Sequence, residues 1–420
     1  MKNKKVKVGI LSLGCARNLY DSEKFIYRIK RKGFKITPIQ KSDIAILNTC
    51  GFIKEAKEES IQAILELIDL KKRKKIKKII LMGCFVKRYG KKLLKYFPQV
   101  DALYDIYTPF SVPKERYFLE DTFYAFLKIS EGCSNRCSYC AIPLMRGEYK
   151  SRDLKSIVEE AKYLESVGKK ELILVSQDTA MWGRDLKEKL DLTYLLKTLL
   201  KETKKIRWIR LLYLHPLHVT DSLLDLMRKE ERICKYLDIP LQHVNDRILR
   251  LMRRNMTKKD IENLIDKIRE KVPGIFLRTT FIVGFPSETD SDFGELLEFI
   301  KEKKFERVGC FIYSKEEGTL ASDFYSQIPH KVKEKRYKIL MEIQRDISYR
   351  INEGLLNKEL EVLIEEKNGS VYIGRSQFSA PLVDGLVFVK GDNIKLGEFY
   401  KVKVTQAYEY DLEAEVVKPS

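Results

Sequence analysis

Two rhythms of apolar and polar positions succeed each other along the chain. In the first hundred residues Val6–Leu13 is apolar and rich in β-formers, and Ile44–Leu47 and Ile79–Met82 are short apolar runs. Between them Asp21–Lys32 and Lys54–Lys72 read as helices, the second with Ile61, Ile64, Leu65 and Ile68 at helical spacing. Strands alternating with helices predict βαβ units and a doubly wound parallel sheet over residues 1–112. The stretch from Pro98 to Pro113 reads as the linker that closes this domain.

The middle of the chain repeats the alternation six times over residues 119–350. Candidate strands are Phe123–Ile129, Glu171–Val175, Ile206–Leu212, Tyr236–Ile239, Phe276–Val283 and Arg307–Tyr313. Helical patterns follow each, at Asp153–Val167, Leu192–Glu202, Asp221–Glu230, Thr257–Glu270, Asp290–Lys303 and Val332–Asn352. Six βα units are two short of a closed eightfold barrel, so an open partial barrel is expected, with its chemistry at the carboxyl ends of the strands. Beyond Leu355 the rhythm changes to short strands: Leu360–Ile364, Val371–Arg375, Leu386–Val389, Phe399–Val404 and Tyr408–Val416. Asn368-Gly369 and Asp384-Gly385 are hairpin-type turn pairs, and residues 355–420 are expected to close a small β-barrel.

Composition narrows the class. With 44% hydrophobic and 10% aromatic residues in 420, the chain can pack several cores. No apolar run reaches the roughly 18–20 residues of a membrane span, and the basic start Met1-Lys2-Asn3-Lys4-Lys5 leads into a strand rather than a signal peptide. A cytoplasmic location is expected, where eight cysteines serve metal binding or catalysis rather than disulfides. The net charge of +20 has two readings: a polyanionic partner such as RNA, or a Lys/Glu-rich surface of the heat-adapted kind. Its densest cluster, Lys71 to Lys78, is read as a solvated helix end. The segment from Leu355 onward has eight basic and eleven acidic residues, a net of −3, leaving +23 on the rest. An acidic module is a poor nucleic-acid clamp and is expected to dock a basic protein.

Cys133, Cys137 and Cys140 form C-x3-C-x2-C just after the first barrel strand. Three thiolates at this spacing wrap one face of a cubane iron–sulfur cluster and leave one iron without a protein ligand. Zinc would need a fourth ligand, and no His or Cys lies nearby. Tyr139 stands where a side chain packs beside a cofactor. Cys15, Cys50 and Cys84 each follow a strand of the first domain, so a parallel sheet delivers all three to its carboxyl edge. Gly14, Gly51 and Gly83 flank them and permit close backbone approach. These three are read as a second cluster site, against the alternative of small buried hydrophobes. Cys234 and Cys310 lie within strands and read as core. His215 and His243 follow barrel strands, where a structural and a functional role both stand open.

These residues resemble the methylthiotransferases of the MiaB/RimO type, in order and over nearly the whole chain. The first block has Ser12-Leu13-Gly14-Cys15-Ala16-Arg17-Asn18, Asp21-Ser22-Glu23, Asn48-Thr49-Cys50-Gly51-Phe52-Ile53, Ala56-Lys57-Glu58-Glu59-Ser60 and Met82-Gly83-Cys84. The barrel has Ile129-Ser130-Glu131-Gly132-Cys133, Val175-Ser176-Gln177-Asp178-Thr179, Pro240-Leu241-Gln242-His243 and Val283-Gly284-Phe285-Pro286-Ser287-Glu288-Thr289. The last block, similar to a TRAM domain, has Arg375-Ser376-Gln377-Phe378 and Ala380-Pro381-Leu382-Val383-Asp384-Gly385. The variants look like the RimO branch, since tRNA-modifying branches carry different residues around the first two cysteines. One departure is Glu148, where the branch often has proline after Gly147.

The resemblance implies a radical S-adenosylmethionine (SAM) enzyme with two 4Fe-4S clusters. It implies a methylthio group added to the β-carbon of an aspartate in ribosomal protein uS12, alone or within the small ribosomal subunit. Cys133, Cys137 and Cys140 would carry the radical-generating cluster and Cys15, Cys50 and Cys84 the auxiliary one. Gln177, Gln242 and Gly284, at strand ends, are candidates for holding SAM. A low-potential electron donor and a sulfur source would be partners, and no membrane. Two rivals are a tRNA adenosine as substrate, supported by the +23 outside the last module, and a non-enzymatic metal protein that binds RNA.

Overall fold

The computed structural model describes residues 5–105 and 114–417. The first sheet holds β1 (Lys7–Ser12), β2 (Lys35–Ile36), β3 (Ile44–Thr49), β4 (Lys78–Gly83) and β5 (Ala102–Tyr104). All its pairs are parallel, in the order β2-β1-β3-β4-β5. Helices Ala16–Arg31 and Lys54–Lys72 cross over between strands. The doubly wound expectation is met. The linker needs correction: Asp101 accepts from the Ile79 backbone N–H, and the three residues after it extend the sheet as β5. Residues 106–113 of the expected linker, and 1–4 of the basic start, lie outside the described residues.

The middle sheet comprises β6 (Tyr124–Lys128), then, after the two-residue ribbon β7 (Ser130–Glu131) and β8 (Lys150–Ser151), β9 (Glu171–Val175), β10 (Trp208–Leu211), β11 (Ile233–Asp238), β12 (Phe276–Val283) and β13 (Arg307–Ile312). Its order, β13-β12-β11-β10-β9-β6, is that of an open six-stranded partial barrel. Every residue of β6, β9 and β10 is buried, as strands covered on both faces must be. Their outward residues, among them Leu127, Leu174 and Leu211, pack on the surrounding helices. Thr257 and Thr289 open two of those helices with reciprocal capping boxes, which satisfy the first-turn N–H groups. The last helix runs from His330 to Glu353.

The final module is a closed barrel of β14 (Glu359–Asn368), β15 (Val371–Ser376), β16 (Val387–Lys390), β17 (Phe399–Ala407) and β18 (Leu412–Val416). The β14–β15 hairpin turns where expected, one residue later than the Asn-Gly pair: Asn368 closes β14 and Gly369 and Ser370 make the turn. Two readings fail here. Tyr408–Asp411 is a turn rather than the start of the last strand. Asp384-Gly385 is no hairpin turn: the Asp384 carboxylate accepts from Tyr236 Oη (2.7 Å), Arg278 Nη1 (2.8 Å) and the Ala380 N–H (2.9 Å).

Asp384 is one of several groups that fix this module inside the open barrel. Inward-facing Tyr124, Phe126, Trp208, Tyr236 and Phe276 form one buried cluster with Leu363 and Ala380. Phe276 stacks on Phe378 at 4.2 Å. Arg375, 1% exposed, bonds both Glu365 and Glu171, and Glu171 also binds Arg210. Glu361 and Glu398 pair with Arg207 and Lys170 of the middle domain. The expected acidic docking surface is therefore smaller than its net charge suggests, because Glu361, Asp384 and Glu398 are paired with Arg207, Arg278 and Lys170 of the middle domain.

Candidate metal centre

The contiguous cysteine triad sits on one loop above β6. Gly132 has φ +77°, and a methyl group there would stand 2.0 Å from the Glu148 carbonyl oxygen, so only glycine admits the turn. Within the loop Cys133 N–H donates to the Gly147 carbonyl and Cys140 N–H to the Cys137 carbonyl, both at 3.1 Å. Asn135 Nδ2 donates to Asp178 Oδ2 (2.9 Å), and the buried Asp178 also accepts from the His215 N–H and binds the His218 ring at 2.7 Å. Arg254 approaches from the far side, with Nη1 3.7 Å from Cys137 Sγ. All three thiols are free. Burial pushes Cys133 up to about 11 and Cys140 up to about 12.

The dispersed triad is assembled by register. β1, β3 and β4 run side by side with Ser12 opposite Asn48 and Thr49 opposite Gly83, so the following residues leave the sheet at one edge. Cys15 caps helix Ala16–Arg31, and Cys84 opens a short helix immediately after β4. Cys50 lies between them, its N–H bonded to Ser60 Oγ at 3.0 Å. Gly14 (φ +86°) passes so near that a methyl group would lie 2.8 Å from Cys50 Cβ, and Gly83 (φ +100°) leaves 2.3 Å to Asn48 Oδ1. Burial would raise the Cys15 thiol, but the Arg17 guanidinium, with Nε 3.4 Å from Sγ, brings it down to about 7. Cys50 lacks such a partner; burial and neighbouring Cys84 push it up to about 11.

Both triads meet at the same place. Cys84 packs against Ala141 and Met145, just beyond Cys140, and accepts from Arg146 Nε at 3.3 Å. Arg146 also binds Asp21 (2.7 Å) and Asn18 (2.6 Å), while Lys128 pairs with Asp21 and Glu131. A cavity of about 310 Å³ is lined by Cys133, Cys137 and Cys140 together with Arg17, Gln177 and Gln242. Gln177 gives Nε2 to Glu131 at 3.0 Å, and its buried Oε1 has no partner among the described residues. An apolar cleft of about 170 Å³ shares Phe52, Tyr139 and Phe311 with this cavity.

The other sequence candidates separate. Gly284 is absent from the lining; it has φ +70°, and a methyl group would strike Lys333 Cγ at 2.3 Å. His215 lines the cavity, held neutral to about 3 by burial and by Arg254. His243 is buried away from it, accepting from the Asn245 N–H. Cys234 and Cys310 are buried within their strands. Sequence reasoning missed the part played by Arg17, Arg146 and Arg254, since three arginines among 80 basic residues carry no local signal.

The donor chemistry fits iron–sulfur clusters. Each triad supplies three free thiols, which suits a cubane with one open iron. Among the described residues no three metal-ligating side chains are close enough to share a single ion; a cubane instead presents a separate iron to each thiolate. Among the described residues no helix is long and apolar enough to cross a membrane.

Comparison with known proteins places these features. Residues 127–300 match the radical SAM superfamily, residues 7–105 the uncharacterized protein family UPF0004, and residues 358–417 the TRAM domain. The radical SAM methyltransferase TsrM of Kitasatospora setae, solved with cobalamin and a 4Fe-4S cluster, shares the fold at a TM-score of 0.52 and 15% identity. That likeness covers 74% of this chain and 75% of TsrM. Ribosomal protein uS12 methylthiotransferase RimO of Aquifex aeolicus is 46% identical, covering 97% of this chain and 96% of its own. RimO of a Thermoanaerobacter species is 45% identical, covering 99% and 100%. Similarity of this degree, over all three parts of the fold, shows that the chain belongs to the RimO family of radical SAM methylthiotransferases.

Proposed function

We propose that this chain adds a methylthio group to the β-carbon of an aspartate in ribosomal protein uS12, using two 4Fe-4S clusters and SAM, in the cytoplasm. The observation that carries the reading is a cavity lined by one thiol triad and joined to the other through Arg17. Cys133, Cys137 and Cys140 line it, and Arg17 reaches from its wall to Cys15. Cys133, Cys137 and Cys140 would hold the radical-generating cluster, and Cys15, Cys50 and Cys84 the auxiliary one. Bound there, clusters and SAM supply one-electron chemistry that functionalises an unactivated C–H bond, and the sulfur that is methylated and transferred.

The chain's own residues bind, orient and exclude water. Gln177 and Gln242 face the cavity, and the free Oε1 of Gln177 is a ready acceptor for an N–H or O–H of SAM. Gly284 is better explained by the close approach of Lys333. Asp178 locks the cysteine loop through Asn135 and holds the His215 backbone. Phe52, Tyr139 and Phe311 give the opening an apolar rim that limits water near a reactive carbon centre. A low-potential electron donor and a sulfur source complete the requirements. Mass spectrometry of uS12 and of bulk tRNA from a strain lacking this gene tests the reading. The expected result is uS12 without its methylthio group and unchanged tRNA; methylthio loss from tRNA alone would overturn the substrate.

A further inference from the structure

The cavity beside Cys133, Cys137 and Cys140 is lined by two guanidinium groups, Arg17 and Arg254, and by no carboxylate. The two are not equivalent. Arg254 is committed to the barrel wall, with Nη1 toward Cys137 Sγ (3.7 Å) and Nη2 donating to the Pro240 carbonyl. Arg17 comes from the opposite wall, on the first turn after Cys15. Its Nε faces Cys15 Sγ at 3.4 Å and its Nη1 donates to the Ser176 carbonyl at 2.8 Å, whereas Nη2 has no partner among the described residues. The guanidinium lies 4.8 Å from the centre of the Tyr213 ring. Tyr213 is in the left-handed region (φ +61°), a costly conformation for a bulky residue. Thr179 N–H, donating to the Tyr213 carbonyl at 2.9 Å, and Asp238 Oδ2, accepting its N–H at 3.1 Å, hold it there. The strained tyrosine thus presents a flat face that fixes the plane of the guanidinium.

A pre-oriented guanidinium with a free donor, in a cavity without acids, calls for an anionic ligand, and a planar carboxylate matches its fork. The inference rests on the uS12 reading above and deepens it: we propose that Arg17 binds the side-chain carboxylate of the aspartate to be modified. The carbon that receives the methylthio group is bonded directly to that carboxylate. Holding the carboxylate therefore places the reacting carbon against the wall that carries Cys15, facing the loop that carries Cys133, Cys137 and Cys140. A tRNA adenosine carries its anionic groups on backbone phosphates rather than on the reacting carbon, so a guanidinium that holds the anion next to that carbon favours the aspartate.

The test compares binding of purified uS12 with that of uS12 whose target aspartate is replaced by asparagine. Both are measured on iron-loaded enzyme without SAM, with iron and sulfide content as the control on the nearby cluster site. Wild-type enzyme should prefer the aspartate form by about tenfold or more, as charge-assisted pairs do. Arg17→Gln should abolish the preference at unchanged iron content, and Arg17→Lys should keep an intermediate preference, since the charge survives and the fork does not. Equal binding of the two forms by wild-type enzyme, or an undiminished preference in Arg17→Gln, overturns the proposal alone. If Arg17→Gln fails to take up iron, Arg17→Lys decides: an intermediate preference supports the assignment and an unchanged one overturns it. Wild-type enzyme that binds bulk tRNA and neither form of uS12 overturns the substrate reading, and this proposal with it.

Discussion

The two cysteine triads reach neighbouring places in the fold by opposite routes. Cys133, Cys137 and Cys140 occupy eight residues of one loop, so chain connectivity alone keeps them together. Cys15, Cys50 and Cys84 span seventy residues and meet only because β1, β3 and β4 run parallel and in register. The local triad depends on a turn, fixed by Gly132 against Glu148. The dispersed triad depends on the fold of a whole domain and on the buried ion network that joins it to the barrel. Arg146 is the hinge of that network, since it touches Cys84, Asn18 and Asp21 of one domain and Glu131 of the other. Damage to the first triad should therefore be local in origin, and damage to the second should follow from any change in sheet register or domain contact.

The largest effect should come from deleting either triad. With two cubanes the loaded enzyme should hold about eight iron and eight sulfide per chain. Replacing Cys133, Cys137 and Cys140 by alanine should halve the iron and abolish SAM cleavage. Replacing Cys15, Cys50 and Cys84 should also halve it, yet leave formation of 5′-deoxyadenosine intact and end methylthio transfer. Methylthio product from the second variant would break the comparison, because the dispersed cysteines would then be structural.

Next in size is Arg146→Leu. Asp21 and Glu131 would keep Lys128 as a cation but lose the guanidinium, and removing one partner from a buried charge network costs about 3–5 kcal/mol. Urea unfolding should show that loss, together with weaker iron binding at the dispersed triad. Arg254→Leu, whose contacts are one thiol and one carbonyl, should cost distinctly less.

Gly83→Ala sharpens the same contrast at the level of backbone. The substitution forces φ +100° on an alanine and drives its methyl group into Asn48 and Thr49. The register of β3 and β4 at their carboxyl ends should loosen, and iron at the dispersed triad should fall while SAM cleavage by the contiguous one persists. Equal loss at both sites would show that the domains respond as one unit.

The smallest effect concerns thiol reactivity in metal-free protein. Cys15 is drawn down to about 7 by Arg17, whereas Cys50, Cys133 and Cys140 are pushed up to about 11, 11 and 12. The thiolate is the nucleophile, and a lowered pKa makes it abundant above pH 7. Iodoacetamide near pH 7.5 should therefore label Cys15 several-fold faster than those three, as read by peptide mass spectrometry. The pH midpoint of its labelling should rise in Arg17→Gln.

How far the sequence could be read follows from how local each cause is. Helix Lys54–Lys72 and strands Glu171–Val175 and Phe276–Val283 have the predicted bounds, because apolar periodicity and flanking turn residues are properties of adjacent positions. β5 was hidden in a proline-flanked stretch read as linker, being three residues long and held by its neighbour strand rather than by its own pattern. Asp384-Gly385 looked like a hairpin turn because the dipeptide is common there, but the ionic partner Arg278 lies 106 residues away and claims the aspartate. The same distance effect hid the inward use of the module's acids.

The amino-acid sequence by itself determined the alternation of elements, the open six-stranded barrel, the closed small barrel and the identity of six thiols at strand ends. Each of these depends on residue type at short spacing, where sterics, burial and hydrogen bonding act within one or two turns of chain. Tertiary structure alone decided which cations meet those thiols. Arg146 finds Asn18 across 128 residues, Arg375 finds Glu171 across 204, and Arg17 reaches Ser176 across 159. Such pairings are set by the packing of whole domains, because an arginine's charge is the same everywhere in the chain, and only burial beside a particular thiol, ring or carboxylate gives it a role.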